Sequence, residues 1–230
     1  VGDTPRLDAE VLLAAALGRG RSYLRAWPER TPEPEQAVRF AAWLERRLTG
    51  EPIAYLLGRR EFWSLDLSVT PDTLIPRPET ELLVDLALAR LPADRPLAIA
   101  DLGTGSGAIA LALATERPRA RIVATDRSPA ALRVARGNAG RSSIVNVEFR
   151  EGGWCAPLVG ERFDLIASNP PYVAATDSRW REGELRFEPP GALVAGEDGL
   201  DAIRAIIAQA PDCLSPGGWL LLEHGYDQGE

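Results

Sequence analysis

The chain has 230 residues and a net charge of −7, with 26 Lys and Arg against 33 Asp and Glu. That length allows one sizeable domain plus a small one, and the acidic balance argues against a free-standing nucleic-acid binder, which normally carries a basic surface. Two cysteines, Cys155 and Cys213, and one histidine, His224, exclude an ordinary zinc cluster, so no metal is expected.

The thiols read as packed groups in a reducing compartment. No apolar stretch is long enough to span a bilayer and no signal-peptide pattern is present, which gives the expectation of a cytoplasmic protein with no membrane partner. Residues 1–60 are helical in pattern. Asp8 to Leu17 is amphipathic and is stopped by Gly18; Glu35 to Leu48 is entered through Pro32 and Pro34 and closed by Gly50. Residues 61–78 read as a linker. Glu61 to Val69 has strand-like apolar spacing (Phe62, Leu65, Leu67, Val69) and predicts a β-hairpin, and Pro71 to Pro78 should be extended and stiff. A helix is predicted from Glu79 to about Leu91, opening an α/β domain over 79–230. No repeats or low-complexity segments interrupt this order.

The α/β domain carries the chemistry. Leu97 to Leu102 reads as a buried parallel strand. It runs into Gly103-Thr104-Gly105-Ser106-Gly107 and then an apolar helix from Ala108 to Ala114. The glycines allow a tight turn and close approach of backbone to a ligand. A second strand, Arg121 to Thr125, ends on Asp126, placed to accept hydrogen bonds from ribose hydroxyls. Asp101, near the tip of the first strand, would repel a pyrophosphate and suit a cation. S-adenosylmethionine has an ammonium, a sulfonium and no phosphate, so Asp101, Gly103, Thr104, Gly105, Ser106, Gly107 and Asp126 form its expected site.

A further buried strand, Phe163 to Ser168, ends in Asn169-Pro170-Pro171-Tyr172. The Asn169 side-chain oxygen and the Pro170 carbonyl can accept the two N–H bonds of a planar NH2 group, neither proline competes as a donor, and Tyr172 offers a flat surface to stack on. This turn names the nucleophile as an amide or an exocyclic amine. Asn169, Pro170 and Tyr172 are therefore the expected catalytic residues, with Pro171 completing the substrate turn. Two rivals stay open on these residues. A nucleic-acid amino methyltransferase would use the same turn, although the chain shows no evident basic, aromatic-interleaved segment. A nicotinamide oxidoreductase would read Gly103-x-Gly105-x-x-Ala108 as its fingerprint, against which Asp101 and the Asn-Pro-Pro-Tyr turn both count.

The sequence resembles the HemK-type family, the release factor glutamine N5-methyltransferases. The resemblance rests on Ile75-Pro76-Arg77-Pro78-Glu79-Thr80-Glu81, Asp101 to Gly107, Ser168 to Tyr172, Phe187-Glu188-Pro189, Gly199-Leu200 and Leu222-Glu223-His224-Gly225, and it runs along nearly the whole chain. It implies an α/β fold: a Rossmann-like class I S-adenosylmethionine-dependent methyltransferase domain with a mainly parallel sheet, preceded by a small helical domain and a β-hairpin linker. The implied activity is methyl transfer to a protein glutamine, that of the Gly-Gly-Gln motif of class I peptide chain release factors, with the helical domain recognising the protein substrate. Trp154 is implied to border the adenine. The chain departs from a common pattern at Gly153, where many relatives carry an acid that would bind the adenine amino group. Arg77 would pair with Glu79 and Glu81 or with substrate. Glu79 stands open between a substrate-entrance role and a helix-dipole role. Glu188-Pro189 would shape a loop over the site. His224 reads as a packing or orienting residue at the end of a buried strand. By the same comparison the chain is expected to be incomplete at both ends, lacking a last helix and two strands, with Trp219 to Leu222 left as an apolar edge.

Overall fold

The computed structural model describes residues 4–229. Four helices open the chain: α1 (Pro5–Ala16), α2 (Arg21–Ala26), α3 (Pro34–Leu48) and α4 (Ile53–Leu57). Helix α3 starts where Pro34 supplies a preset φ, and Glu33 and Gln36 exchange side-chain to backbone bonds across its first turn. Near its end Arg47 is buried. It donates to Asp8 Oδ2 of α1 at 2.7 Å and to the Glu51 carbonyl at 3.1 Å, and it pairs with Glu184 at 2.6 Å. One guanidinium thus ties two helices to a loop of the α/β domain.

Strands β1 (Arg59–Phe62) and β2 (Leu65–Ser68) form the predicted hairpin, starting two residues earlier than the apolar spacing suggests. Its two turn residues, Trp63 and Ser64, both have positive φ, the geometry a two-residue hairpin needs but one usually given to Asn or Gly. Tertiary bonds hold it: the Trp63 backbone N–H donates to Glu81 and its indole N–H to Glu116, each at 2.9 Å. A 3₁₀ turn over Pro78–Thr80 then leads into α5 (Glu81–Leu88), shorter at both ends than the predicted helix.

The remaining elements are β3 (Ala98–Leu102), α6 (Ala108–Glu116), β4 (Arg121–Asp126), α7 (Pro129–Arg141), β5 (Val147–Glu151), β6 (Phe163–Ser168), α8 (Asp201–Gln209) and β7 (Leu214–Leu222). The five strands β3 to β7 form one parallel sheet in the order β5-β4-β3-β6-β7. Strand alternation sends Ile99, Ile122 and Leu165 to the face covered by α5, α6 and the hairpin. Ala100, Leu102, Val123 and Ile166 go to the other face, against Leu158 and Ile206. Helix α6 is buried from Ala108 through Ala114, and its four alanines let it lie close to the sheet. Strand order reverses at β3, which opens a crevice at the carboxyl ends of β3 and β6. Among the described residues β7 is the outer strand, with Trp219 48% exposed and Arg90 4.7 Å above its ring.

Candidate active site

A cavity of about 420 Å³ occupies that crevice. Its size suits a small-molecule ligand. Gly103, Thr104, Gly105, Ser106, Asp126, Trp154, Asn169 and Pro171 line it, so eight predicted site residues share one wall system. The glycine loop is pinned to β4: the N–H groups of Gly103 and Thr104 donate to the Thr125 carbonyl at 2.8 and 2.9 Å, and that of Gly105 to Asp126 Oδ2 at 2.9 Å. Asp126 Oδ1 takes the Ser128 N–H at 2.8 Å. Each Asp126 oxygen keeps a second lone pair for a ligand hydroxyl. Gly103 sits at φ +72°, and a Cβ there would lie 3.3 Å from the Trp154 ring. The absence of a side chain lets the ring border the cavity.

Asp101 stands one layer behind this wall. It is fully buried on the α6 face of the sheet. Its Oδ2 accepts the Thr104 hydroxyl at 2.6 Å and the Ala110 N–H at 3.1 Å, so it caps the first turn of α6 from below. Its Oδ1 has no partner among the described residues. Burial pushes the carboxyl up to about 7 against the pull of those two hydrogen bonds. Gly107 also stays off the cavity wall; it begins α6.

Within the Asn-Pro-Pro-Tyr turn the side chains separate. Asn169 and Pro171 face the cavity, whereas Pro170 and Tyr172 are outside its lining. Asn169 Nδ2 donates to Thr80 Oγ1 at 3.0 Å, and the Thr80 hydroxyl donates to Glu223 Oε2 at 2.7 Å. The Tyr172 hydroxyl donates to Glu223 Oε1 at 3.2 Å. Burial, then the neighbouring carboxylate, pushes the Tyr172 phenol up to about 12, so it keeps its proton as the donor. No described residue donates to Asn169 Oδ1.

The 72–76 segment closes the opposite side, with Asp72, Thr73, Leu74 and Pro76 in the lining. Buried Glu188 holds it by accepting the Ile75 N–H at 3.0 Å and pairing with Arg77. Tyr55 of α4 adds a 2.7 Å bond to the Thr73 carbonyl. Arg77 therefore pairs with Glu188, not with Glu79 or Glu81 as expected; Glu81 is engaged by the hairpin turn, and Glu79 is exposed outside the cavity lining. His224 also departs from the expectation of a packed residue. It is exposed, with Nδ1 2.7 Å from the Gly225 carbonyl.

Several residues that hold the site have no role in the sequence reading, although Thr80 and Glu223 lie within stretches that carry the family resemblance. Thr80 and Glu223 are separated by 143 positions and meet only in the fold. Buried Asn138 of α7 donates to the Ser106 and Ser68 carbonyls at 2.7 and 3.1 Å and accepts the Ser68 N–H at 2.8 Å, joining the hairpin to the glycine loop. The lining also includes Gly153, so the departure at that position faces the cavity.

Fold and site together define a Rossmann-like class I methyltransferase. The methyltransferase small domain family matches residues 80–183, and the PrmC N-terminal domain family matches residues 2–58. The release factor glutamine methyltransferase of Pseudomonas aeruginosa is 58% identical over 99% of this chain and 83% of its own length. That of Coxiella burnetii is 54% identical over 100% and 82%, and that of Escherichia coli 51% identical over 99% and 82%. The chain belongs to the release factor glutamine methyltransferase family. Among solved structures, a Thermus thermophilus 16S rRNA N2 G1207 methyltransferase in complex with AdoMet and guanosine superposes with a TM-score of 0.54 at 22% identity, over 71% of this chain and 40% of that one. A Pyrococcus furiosus methyltransferase gives 0.50 at 22%, over 79% and 78%. These two share the fold.

Proposed function

We infer that the chain transfers a methyl group to the side-chain amide nitrogen of a release factor glutamine, that of the Gly-Gly-Gln motif in class I factors. The observation that supports the amide chemistry is the placement of Asn169, with Oδ1 unengaged, in the same cavity as the glycine loop, and the release factor glutamine methyltransferases to which the chain is similar support the substrate. S-adenosylmethionine fits the chemistry of this cavity. The buried Asp101 Oδ1 has no partner and lies behind the loop, a setting for a cationic amino-acid tail and a poor one for a pyrophosphate. Asp126 would accept the ribose hydroxyls, Gly103, Thr104, Gly105 and Ser106 would form the cradle, with Gly107 behind them starting α6, and Trp154 would border the adenine. When bound, this cofactor supplies an electrophilic methyl on a sulfonium.

The work left to the protein is to make a poor nucleophile available. An amide nitrogen is weak because its lone pair is delocalised into the carbonyl. Asn169 Oδ1 and the Pro170 carbonyl accept its two N–H bonds, which fixes the nitrogen and stabilises the positive charge that develops on it. Tyr172, with its hydroxyl fixed on Glu223, holds the turn that presents them. No strong general base is required, since the extra proton leaves after transfer. In this reading Arg77 and Glu79 would meet the substrate from the linker side, outside the cavity lining, and the helical unit would supply a surface for the protein substrate.

Incubation with methyl-labelled S-adenosylmethionine and either release factors or nucleic acid, followed by mass spectrometry, tests the reading. Label is expected on a Gly-Gly-Gln glutamine. Label on nucleic acid alone would keep the chemistry of the turn and overturn the substrate. Asn169→Ala should lower turnover on the order of 100-fold or more with cofactor affinity little changed. Near-normal turnover of that variant would reject the role of Asn169.

A further inference from the structure

We propose that Thr80 and Glu223 are positioning residues that set which end of the Asn169 amide faces the cavity. The inference rests on the reading of Asn169 Oδ1 as the acceptor for the substrate amide. An amide side chain can turn either its oxygen or its NH2 toward a neighbour, and the two ends are nearly the same shape. Only one orientation works: with NH2 in the cavity, Asn169 would present a donor to a donor.

The hydrogen-bond chain removes the choice. Thr80 is 4% exposed although it borders the cavity, and its hydroxyl is engaged within the protein by Glu223 Oε2 and Asn169 Nδ2. That hydroxyl has one proton, and Glu223 Oε2, 2.7 Å away, takes it. A bond to an ionised acceptor is stronger than one to a neutral amide oxygen, so the proton stays on the Glu223 side. Thr80 Oγ1 then has only lone pairs to offer Asn169, and at 3.0 Å it accepts from Nδ2. Oδ1 is left for the cavity. A reversed amide would set its oxygen against those lone pairs and leave both groups unsatisfied.

Glu223 is itself held from two directions. The Tyr172 hydroxyl donates to its other oxygen, and its backbone N–H donates to the Ser168 carbonyl at 3.0 Å, which ties the end of β7 to the end of β6 just before Asn169. The chain of bonds joins the 3₁₀ turn over Pro78–Thr80, the β6 turn and the end of β7. Thr80 and Glu223 thus act through Asn169.

The test is a double-mutant cycle on the full chain, with turnover measured on a release factor and cofactor affinity by calorimetry. Thr80→Val keeps the shape and removes the hydroxyl; turnover should fall roughly tenfold with cofactor affinity retained. Thr80→Ser should recover most of what Val removes. In an Asn169→Ala background, Thr80→Val should cost nothing further. Glu223→Gln provides a second arm should Thr80→Val fail to fold. Its NH2 can donate to Thr80, which frees the hydroxyl proton to turn toward Asn169, so turnover should again fall only when Asn169 is present. Equal losses with and without Asn169, a Ser variant as poor as Val, or unchanged turnover in both Thr80→Val and Glu223→Gln would each overturn the proposal. Near-normal turnover of Asn169→Ala alone would instead remove the reading on which the proposal stands. An impaired Asn169→Ala beside a normal Thr80→Val rejects only the positioning role.

Discussion

The glycine-loop wall of the cavity and the linker wall opposite are held by different kinds of bond. Around Gly103 to Gly107 most contacts are N–H groups donating to a backbone carbonyl or a strand-tip acid, Gly103 and Thr104 to the Thr125 carbonyl and Gly105 to Asp126, with the Thr104 hydroxyl donating to Asp101 and Asn138, a distant side chain, donating to the Ser106 carbonyl. On the other side, single side chains bridge long stretches of sequence. Glu188 reaches Ile75 and Arg77 across 113 and 111 positions, and Thr80 reaches Asn169 and Glu223 across 89 and 143. The first wall belongs to the sheet and shares its rigidity. The second depends on a few polar side chains, so one substitution can release it.

The strongest way to break this contrast is Glu188→Ala. It leaves the Ile75 N–H buried without an acceptor and Arg77 without its carboxylate. An unsatisfied buried donor costs about 1–3 kcal/mol, so the unfolding midpoint should drop on the order of 5 °C for a chain of this size. The sharper readout is hydrogen exchange. Amides of residues 72–77 should lose protection while those of 103–107 keep theirs. Equal loss in both walls would show that they are not independently held.

The converse substitution, Gly103→Ala, acts on the sheet-borne wall. It puts a Cβ on a left-handed backbone and within 3.3 Å of the Trp154 ring. The left-handed conformation costs an L-residue roughly 1–2 kcal/mol, read as about a 5- to 30-fold loss of cofactor affinity, with no change in exchange over residues 72–77. Affinity equal to wild type would mean that Trp154 does not border the ligand.

The same contrast explains what was legible in the sequence. Strands β3, β4 and β6, the buried helix α6, the glycine loop and Asp126 all follow from short-range pattern, and the parallel topology then brings the strand ends together without further information. The hairpin was legible from apolar spacing, but its Trp63-Ser64 turn was not, because Glu81 and Glu116 stabilise a backbone that local propensity disfavours. Thr80, Glu223, Glu188 and Asn138 are ordinary polar residues whose partners lie far along the chain. Arg77 reads as a partner of the nearest acids or of substrate, and within the fold its carboxylate is the distant Glu188. His224, read as a packing or orienting residue from its neighbours in the sequence, has an exposed side chain among the described residues.

The smallest expected effect concerns Asp101, the buried carboxyl one layer behind the glycine-loop wall. Its carboxyl is pushed from an ordinary 3.8 up to about 7 by burial. Below the ordinary value the carboxyl is protonated in both folded and unfolded chains. Between about 4 and 7 the folded chain holds a proton that the unfolded chain has released, so this group's contribution to stability is fully present at acid pH and is lost as pH rises through 7. Cofactor binding should run the opposite way. A cation near Asp101 favours the ionised carboxyl, so affinity for S-adenosylmethionine should rise from pH 6 to pH 8 by up to about tenfold, with a proton released on binding near pH 7. Calorimetry in buffers of different ionisation enthalpy reads that proton directly. Asp101→Asn should abolish both the proton release and the pH slope. A slope that survives in Asp101→Asn would move the titrating group elsewhere and leave Asp101 as a cap for the first turn of α6, which its bond to the Ala110 N–H already makes it.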